Sequence, residues 1–481
     1  MALDTRVPPP TDSGLDPQLR RIAVALVTGA VAAVLDTTIV SVALHDLGTE
    51  LHASVETVQW VGTAYLLAMF ASIPVAGWAQ ARFGGKRLWL ASLGLFLAGS
   101  VLCACAWNVE SLVAFRVVQG LGGGVMIPLM STLLMQAAHG RNLGRLMAAV
   151  SLPAALGPIL GPVIGGLILG GLSWHWLFLV NVPFCAVGLL LAVRLLPADS
   201  PPVARRFDTI GLLLVTPGVV AVIYGLTNVT GDRGFGSTDV LVPLVAGLVL
   251  VAAFTGWALR RRERALVDVR VLRHRPLAVS TGLLFLTGAA LYGAMLLLPL
   301  YWQAVRGEDA LGAGLLLIPQ GVGALATRSL AGRLTDAIGG RWVAVTGFAV
   351  LAVATLPFAY ADAHTATWWL LLALLVRGLG FGAVVIPLMT LAYQGLAKDE
   401  MPDASILTRV SMQLGGSFGM AVLAVVLASA GGFEHAFWWS VVLTAVAAAL
   451  SLLVPSYSRP WPSSTAGPAA ATPPTPSTAR P

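Results

Sequence analysis

The chain has 481 residues, of which 57% are hydrophobic and only 11% are charged, whereas a soluble domain carries about a quarter charged residues. This composition excludes a soluble globular protein and predicts an integral membrane protein; its 52 glycines and 29 prolines agree, because both residues are frequent in membrane helices. The net charge of +7 leaves a nucleic-acid partner to be tested against the positions of the basic residues.

Apolar runs of roughly 20 residues recur along the chain, and this is the length that crosses ~30 Å of hydrocarbon. They predict transmembrane helices, numbered here spans 1 to 14, at 22–44, 56–78, 88–106, 111–138, 146–170, 176–195, 209–228, 240–259, 277–303, 312–334, 343–361, 367–394, 406–430 and 436–455. Because their number is even, both termini lie on one side. Residues 1–21 precede the spans, and residues 456–481, rich in Pro, Ser, Thr and Ala, are expected to be disordered.

The basic residues are distributed unevenly between the loops. If the N-terminus is cytoplasmic, the outer loops hold only Arg233 and Arg306, and the densest basic cluster, within residues 260–275, follows span 8 on the inside. This is the positive-inside pattern. We therefore expect both termini in the cytoplasm, and a basic loop that faces anionic membrane lipids rather than nucleic acid.

The second part of the chain echoes the first. The string GLGGG that follows Gln119 in span 4 resembles GLGFG after Arg377 in span 12, and the segments after spans 2 and 10 match at a constant offset. The echo predicts two six-helix bundles, 22–195 and 277–455, with two inserted helices and a basic loop in 196–276. Paired repeats are typical of secondary transporters, which expose a midplane site alternately to the two sides.

Asp36 is the only acidic residue well inside a span. An intramembrane carboxylate is costly, so it is expected to face the interior and to be functional. Burial disfavours its charge and a nearby cation favours it, a balance that would let it gain and lose a proton. Arg116 in span 4 lies within ~5 Å of the same depth and is its expected partner. Two other interpretations stay open: Asp36 only ties span 1 to another helix, or Arg116 reaches the outer interface.

Five strings resemble, in order, the fourteen-span drug:proton antiporter family of the major facilitator superfamily: LDTTIVSVAL (35–44), GWAQARFGGKR (77–87), RVVQGLGGG (116–124), GPILGPVIGG (157–166) and WHWLFLVNVP (174–183). The resemblance covers nearly the whole chain before the tail. It implies an all-α major facilitator fold, and export of lipophilic drugs or antibiotics by alternating access, driven by the proton gradient without a cofactor.

The resemblance also implies a multi-pass protein of a bacterial cell membrane, which we expect to be a monomer. An exporter dedicated to one endogenous metabolite or antibiotic stays open as the alternative. A membrane-embedded enzyme is disfavoured, because no catalytic groups converge at one depth and the histidines show no metal-ligand spacing. A receptor is disfavoured, because it would not need an intramembrane acid matched to an arginine.

Three groups of residues become candidates. The antiporter motif of span 5, with glycines at four-residue spacing that allow close helix contact, is expected to act as a pivot or as a static packing seam: Gly157, Pro158, Gly161, Pro162, Gly165 and Gly166. Cytoplasmic gate loops are predicted at Gly77, Arg82, Gly84, Lys86, Arg87, Gly332, Asp336, Gly339 and Arg341. Ala81 stands where the superfamily usually has Asp, although the second copy retains Asp336.

The substrate cavity is predicted from polar, aromatic and flexible side chains within the spans. The candidates are Gln119, Met126, Asn181, Tyr292, Gln303, Gln320, Arg377 and Tyr393. Arg377 lies too deep in span 12 to reach the interface easily, so we expect it to face the cavity or to bind backbone carbonyls.

Overall fold

The computed structural model describes residues 16–138, 146, 161, 164–169, 171–199, 207–229, 234–261, 265–308, 310–428 and 432–454. Within these residues the regular elements are all helices, and twelve of them are long and apolar enough to cross a membrane. The predicted all-α membrane fold is therefore confirmed. Predicted span 5 falls mostly on residues outside those described.

The helices follow the other predicted spans closely. Their bounds are Pro17–Val42 (span 1), Val55–Ser72 and Ala76–Phe83 (span 2), Gly85–Ala104 (span 3), Val109–Ala138 (span 4), Trp176–Leu179 and Asn181–Leu195 (span 6), Thr209–Thr227 (span 7), Thr238–Arg261 (span 8), Arg275–Ala304 (span 9), Ile318–Ile338 (span 10), Gly340–Ala359 (span 11), Thr367–Ala392 (span 12), Met401–Ala428 (span 13) and Gly432–Ser451 (span 14).

Prolines explain where two spans depart from their predicted form. Span 10 begins at Ile318 instead of 312, because Pro319 cannot donate a backbone hydrogen bond and so favours the start of a helix. A separate short helix, Ala310–Leu316, precedes it. In span 2, Pro74 lies in a 3₁₀ turn that interrupts the α-helix.

The prediction of loops after spans 2 and 10 is wrong. Each connection is a single glycine, Gly84 with φ +91° and Gly339 with φ +86°, and this left-handed backbone lets the chain reverse within one residue. The other predicted loop residues therefore lie on helices. Gly77, Arg82, Gly332 and Asp336 are in the helix before the turn, and Lys86, Arg87 and Arg341 are in the first turn of the helix after it.

Glycines set the packing of both repeats. In span 4, a Cβ added to Gly120 or Gly124 would lie 2.4 or 2.0 Å from a carbonyl oxygen of span 2, and one added to Gly122 would lie 2.6 Å from span 3 backbone. Span 12 repeats the arrangement: Gly378 and Gly382 face carbonyl oxygens of span 10 at 2.0 and 2.4 Å, and Gly380 faces span 11 backbone at 2.8 Å. The glycines of the two echoed strings thus have the same role, which is to let the backbones of neighbouring helices come into contact.

The two halves pack together at one end of the bundle. We call the end at which span 1 begins the N-terminal face. There, one apolar cluster includes residues of both halves, and Ser405 Oγ in span 13 donates to the Pro128 carbonyl in span 4 at 2.8 Å. Gln136 in span 4 donates to the Lys398 carbonyl at 3.0 Å. Two apolar clusters of described residues at the opposite face each belong to one half.

Inserted span 7 lies along both halves. Its Tyr224 ring stacks on Trp60 of span 2, and its Leu226 packs in a cluster with Ala421 of span 13. Asp208, which caps the start of span 7, accepts hydrogen bonds from Trp257 of span 8 and from the backbone of Leu266. The inserted pair is therefore attached to the bundle at several places.

Candidate functional site

Asp36 and Arg116 form a buried ion pair. Neither side chain has more than 1% of its surface exposed, and Arg116 Nη1 donates to Asp36 Oδ2. Arg116 Nε also donates to the Val61 carbonyl at 3.0 Å, and its guanidinium lies 4.0 Å from the centre of the Tyr65 ring. The contact predicted from their depths is present, and the guanidinium is directed inward, not towards the outer interface.

Two amides complete the surroundings of the carboxylate. Gln119 Nε2 and Asn181 Nδ2 donate to Asp36 Oδ1 at 2.9 and 2.8 Å, and both amides also donate to Ser100 Oγ. Gln119 Oε1 in turn accepts from Arg116 at 2.7 Å. All three donors stabilise the ionised carboxylate, whereas burial destabilises it.

Five spans position this cluster. Asp36 comes from span 1, Arg116 and Gln119 from span 4, Ser100 from span 3, and Asn181 from the start of the second helix of span 6, while span 2 supplies the Val61 carbonyl and the Tyr65 ring. Gly99 brings span 3 within reach, because a Cβ there would lie 2.6 Å from the backbone of Gln119. We call Asp36, Ser100, Arg116, Gln119 and Asn181 the carboxylate cluster.

The antiporter motif lies beside this cluster where it is described. A Cβ on Gly161 would lie 2.0 Å from Thr38 Oγ1, two residues after Asp36. Gly165 is buried and Gly166 is exposed. Gly157, Pro158 and Pro162 lie outside the described residues. Span 5 thus approaches span 1 closely next to Asp36, but its role as a pivot stays a prediction.

Two acidic residues that the sequence does not single out, Asp199 and Asp403, make contacts at the N-terminal face. Both oxygens of Asp199 accept backbone hydrogen bonds, from Lys86 at 2.7 Å and from Arg87 at 3.1 Å, and so cap the start of span 3. Asp403 of span 13 has an oxygen 3.7 Å from the Cβ position of Gly77. With Ala81 in the first repeat, the carboxylate near Gly77 comes from the other half. The partners in both contacts are far apart in the sequence, so the sequence alone does not reveal these contacts.

Glu400 joins two connections at the same face. It accepts a hydrogen bond from the Ala397 backbone, lies 3.1 Å from His274 Nε2, and forms a longer pair with Arg273. Burial raises the pKa of Glu400, but the hydrogen bonds from Ala397 and His274 and the nearby positive charges outweigh it, so the pKa lies below its ordinary value of 4.5.

In the second half, Arg377 is buried with neutral oxygens. Its Nε donates to Thr355 Oγ1 at 3.1 Å, Nη1 to Gln320 Oε1 at 2.8 Å, and Nη2 to the Ala290 carbonyl at 3.4 Å. The expected binding of a backbone carbonyl is present. Tyr292 lies two residues after Ala290, is half-buried, and its hydroxyl is 3.4 Å from Gln413 Oε1.

The remaining cavity candidates are dispersed. Gln119 and Asn181 belong to the carboxylate cluster, and Gln320 binds Arg377. Met126 is fully buried, Tyr393 is buried at the end of span 12, and Gln303 is exposed at the end of span 9. Their role in substrate binding stays a prediction. Among the described residues, no group of three or more His, Cys, Asp and Glu is placed to hold a metal ion.

Residues 26–420 match the Major Facilitator Superfamily. The chain belongs to this superfamily. A multidrug resistance protein B homolog of Mycobacterium tuberculosis is 36% identical to it over 415 residues, which are 86% of this chain and 77% of the relative. The lincomycin resistance protein LmrB of Bacillus subtilis is 27% identical over 409 residues, 85% of each chain.

Solved structures of the superfamily share the fold. The human organic anion transporter MFSD10 superposes with a TM-score of 0.65 at 17% identity, covering 91% of this chain and 100% of that one. The proton:xylose symporter XylE gives 0.64 at 15% identity, with 91% and 96% covered. The resemblance to multidrug efflux transporters of this superfamily is confirmed, and this superfamily member is a multi-pass membrane transporter, not an enzyme.

Proposed function

We propose that this transporter exports lipophilic drugs or antibiotics across the cell membrane in exchange for protons. The observation that carries the proposal is the carboxylate cluster: one ionisable acid, fully buried among membrane helices and held by Arg116. The names of the relatives, which refer to multidrug and lincomycin resistance, support the substrate class. The whole cluster lies within one chain, so a monomer suffices.

Protonation of Asp36 would couple to conformation through charge. With Asp36 ionised, the pair with Arg116 is neutral overall. A proton on Asp36 leaves the buried guanidinium without a compensating charge and turns an acceptor oxygen into a donor, which weakens the packing of spans 1, 4 and 6 around the cluster. A ligand shifts a conformational equilibrium only by its differential affinity for the two states. Protonation would therefore favour the state in which this cluster is loosened.

The N-terminal face is the cytoplasmic one in this proposal, in keeping with the basic cluster after span 8. Closure there, through Ser405 with Pro128 and Gln136 with Lys398, then corresponds to a state that does not admit substrate from the cytoplasm. The switch to the substrate-loading state must break these contacts, and both involve span 4, which also carries Arg116 and Gln119.

The test is transport by the purified protein in liposomes with an acidic lumen. Addition of ethidium or lincomycin outside should give accumulation inside and alkalinisation of the lumen, measured with a trapped pH dye, because protein inserted inside-out exports into the lumen. A protonophore should abolish the accumulation of both probes. If no probe accumulates and no proton moves, although the protein is folded and inserted, the proposed function is wrong.

A further inference from the structure

Arg377 is a buried cation with uncharged partners. Only 3% of its surface is exposed, and its partners are a hydroxyl, an amide oxygen and a carbonyl oxygen. Burial of an ionised group is expensive unless an opposite charge accompanies it. The sequences of spans 9, 11 and 12 contain no Asp or Glu, so these helices supply no such charge.

The first repeat has a neutral side chain at the corresponding place. Arg377 precedes the glycine string of span 12 as Gln119 precedes that of span 4, and the glycines of both strings pack alike. Gln119 donates to Ser100 on span 3, and Arg377 donates to Thr355 on the equivalent span 11. The second repeat therefore keeps the hydrogen bond, but replaces a neutral amide with a guanidinium. A hydrogen bond between helices alone does not require that charge.

The guanidinium retains unused donors. It has five N–H groups, and three of them donate to described residues. One N–H on each terminal nitrogen has no partner among the described residues, and two such donors match the two oxygens of a carboxylate. Gln320, which binds Nη1, is only partly buried, so one side chain separates Arg377 from the surface of the helix bundle.

We propose that Arg377 binds an acidic group, a carboxylate or a comparable oxyanion, on the transported compound, and so makes the transporter prefer acids to their neutral analogues. The inference rests on the proposed export function and names the substrate class of its second half. Asp36 and Arg377 then have separate tasks: Asp36 exchanges the proton, and Arg377 selects the cargo.

Binding of 2-naphthoate and of its neutral analogue 2-naphthamide to the purified protein in detergent, measured by equilibrium dialysis, tests the proposal. The wild type should bind the acid at least about tenfold more tightly, because hydrogen bonds to charged groups are the stronger kind. Equal affinities in the wild type would overturn the proposal without any variant.

Substitutions of Arg377 distinguish a role in recognising the acid from a role in stabilising the fold. Arg377→Gln should remove most of the preference for the acid and leave naphthamide binding unchanged, and Arg377→Lys should retain part of it. Arg306→Gln is the matched control, because Arg306 also donates to neutral oxygens, in a loop of the same half; it should keep the full preference. An equal loss of both ligands in Arg377→Gln would show a structural role and overturn the proposal.

Transport of ethidium distinguishes this inference from the proposed function. Proton-driven ethidium export by the wild type tests the export function separately from the preference for acids, since a monocation does not need the guanidinium. If the wild type fails to exchange ethidium or lincomycin for protons but still binds the acid through Arg377, the export proposal is wrong and the acid site stands.

Discussion

Arg116 and Gln119 lie one helical turn apart on span 4 and bind the two oxygens of the same carboxylate, that of Asp36. They also bind each other, through Arg116 Nη1 and Gln119 Oε1. The three side chains therefore form a closed ring of hydrogen bonds between span 1 and span 4. A proton added to either Asp36 oxygen must disturb one side of this ring.

The ring predicts strong coupling between Asp36 and Arg116 in stability. Arg116→Ala should destabilise the protein by about 3–5 kcal/mol, because it leaves an uncompensated buried charge. Adding Asp36→Asn to Arg116→Ala should restore part of this loss, since the buried charge is then gone. Thermal unfolding in detergent measures both, with the exposed Arg87→Ala as a control that should be close to neutral. Additive effects of the two cluster mutations would contradict the pairing.

The glycine packing predicts a position-dependent response to a single added methyl group. Gly124→Ala should destabilise by about 1–3 kcal/mol, because its Cβ would meet the Met69 carbonyl oxygen at 2.0 Å. Gly94→Ala in neighbouring span 3 should have little effect, since nothing lies within 4 Å of its Cβ position. Thermal unfolding of the two purified variants compares them. Equal stability would mean that spans 2 and 4 are not in backbone contact.

The orientation predicts which end of span 8 can be labelled from outside the cell. In a background with Cys103, Cys105 and Cys185 replaced by alanine, Gly236→Cys should react with an impermeant maleimide, and Arg260→Cys should react only after the membrane is opened. Both positions are exposed, so the difference reports the side of the membrane and not burial. The reverse pattern would invert the assignment of the N-terminal face.

Glu400 predicts a pH-dependent contribution to stability. Because its folded-state pKa is lowered below the ordinary 4.5, its contribution is present above that value and is lost as the pH falls through the lowered pKa. Glu400→Gln should therefore lower the melting temperature at neutral pH, and the difference from wild type should vanish as the pH falls through the lowered pKa of Glu400. A difference that persists undiminished in acid would assign the effect to packing rather than to charge.

The sequence predicted most of the fold and part of the cluster. Apolar run length places the spans, and rise per residue places Asp36 beside Arg116 in depth. The rotation of each helix is not readable in this way, so the sequence does not predict that Gln119 and Asn181 bind Asp36. The single-residue turns at Gly84 and Gly339 are not readable either, because the prediction of loops there rests on a resemblance in sequence, which gives no backbone angle. Asp199 was missed because its partners are distant in sequence.

The most direct test of the central claim, that Asp36 carries the exchanged proton, is proton flux driven by substrate. In liposomes that contain the wild type, an imposed ethidium gradient should drive protons in the direction opposite to ethidium. A trapped pH dye records this proton flux. Asp36→Asn keeps the size of the side chain and should show no proton flux, while still binding ethidium and unfolding cooperatively. Proton flux in Asp36→Asn at the wild-type rate would contradict the account.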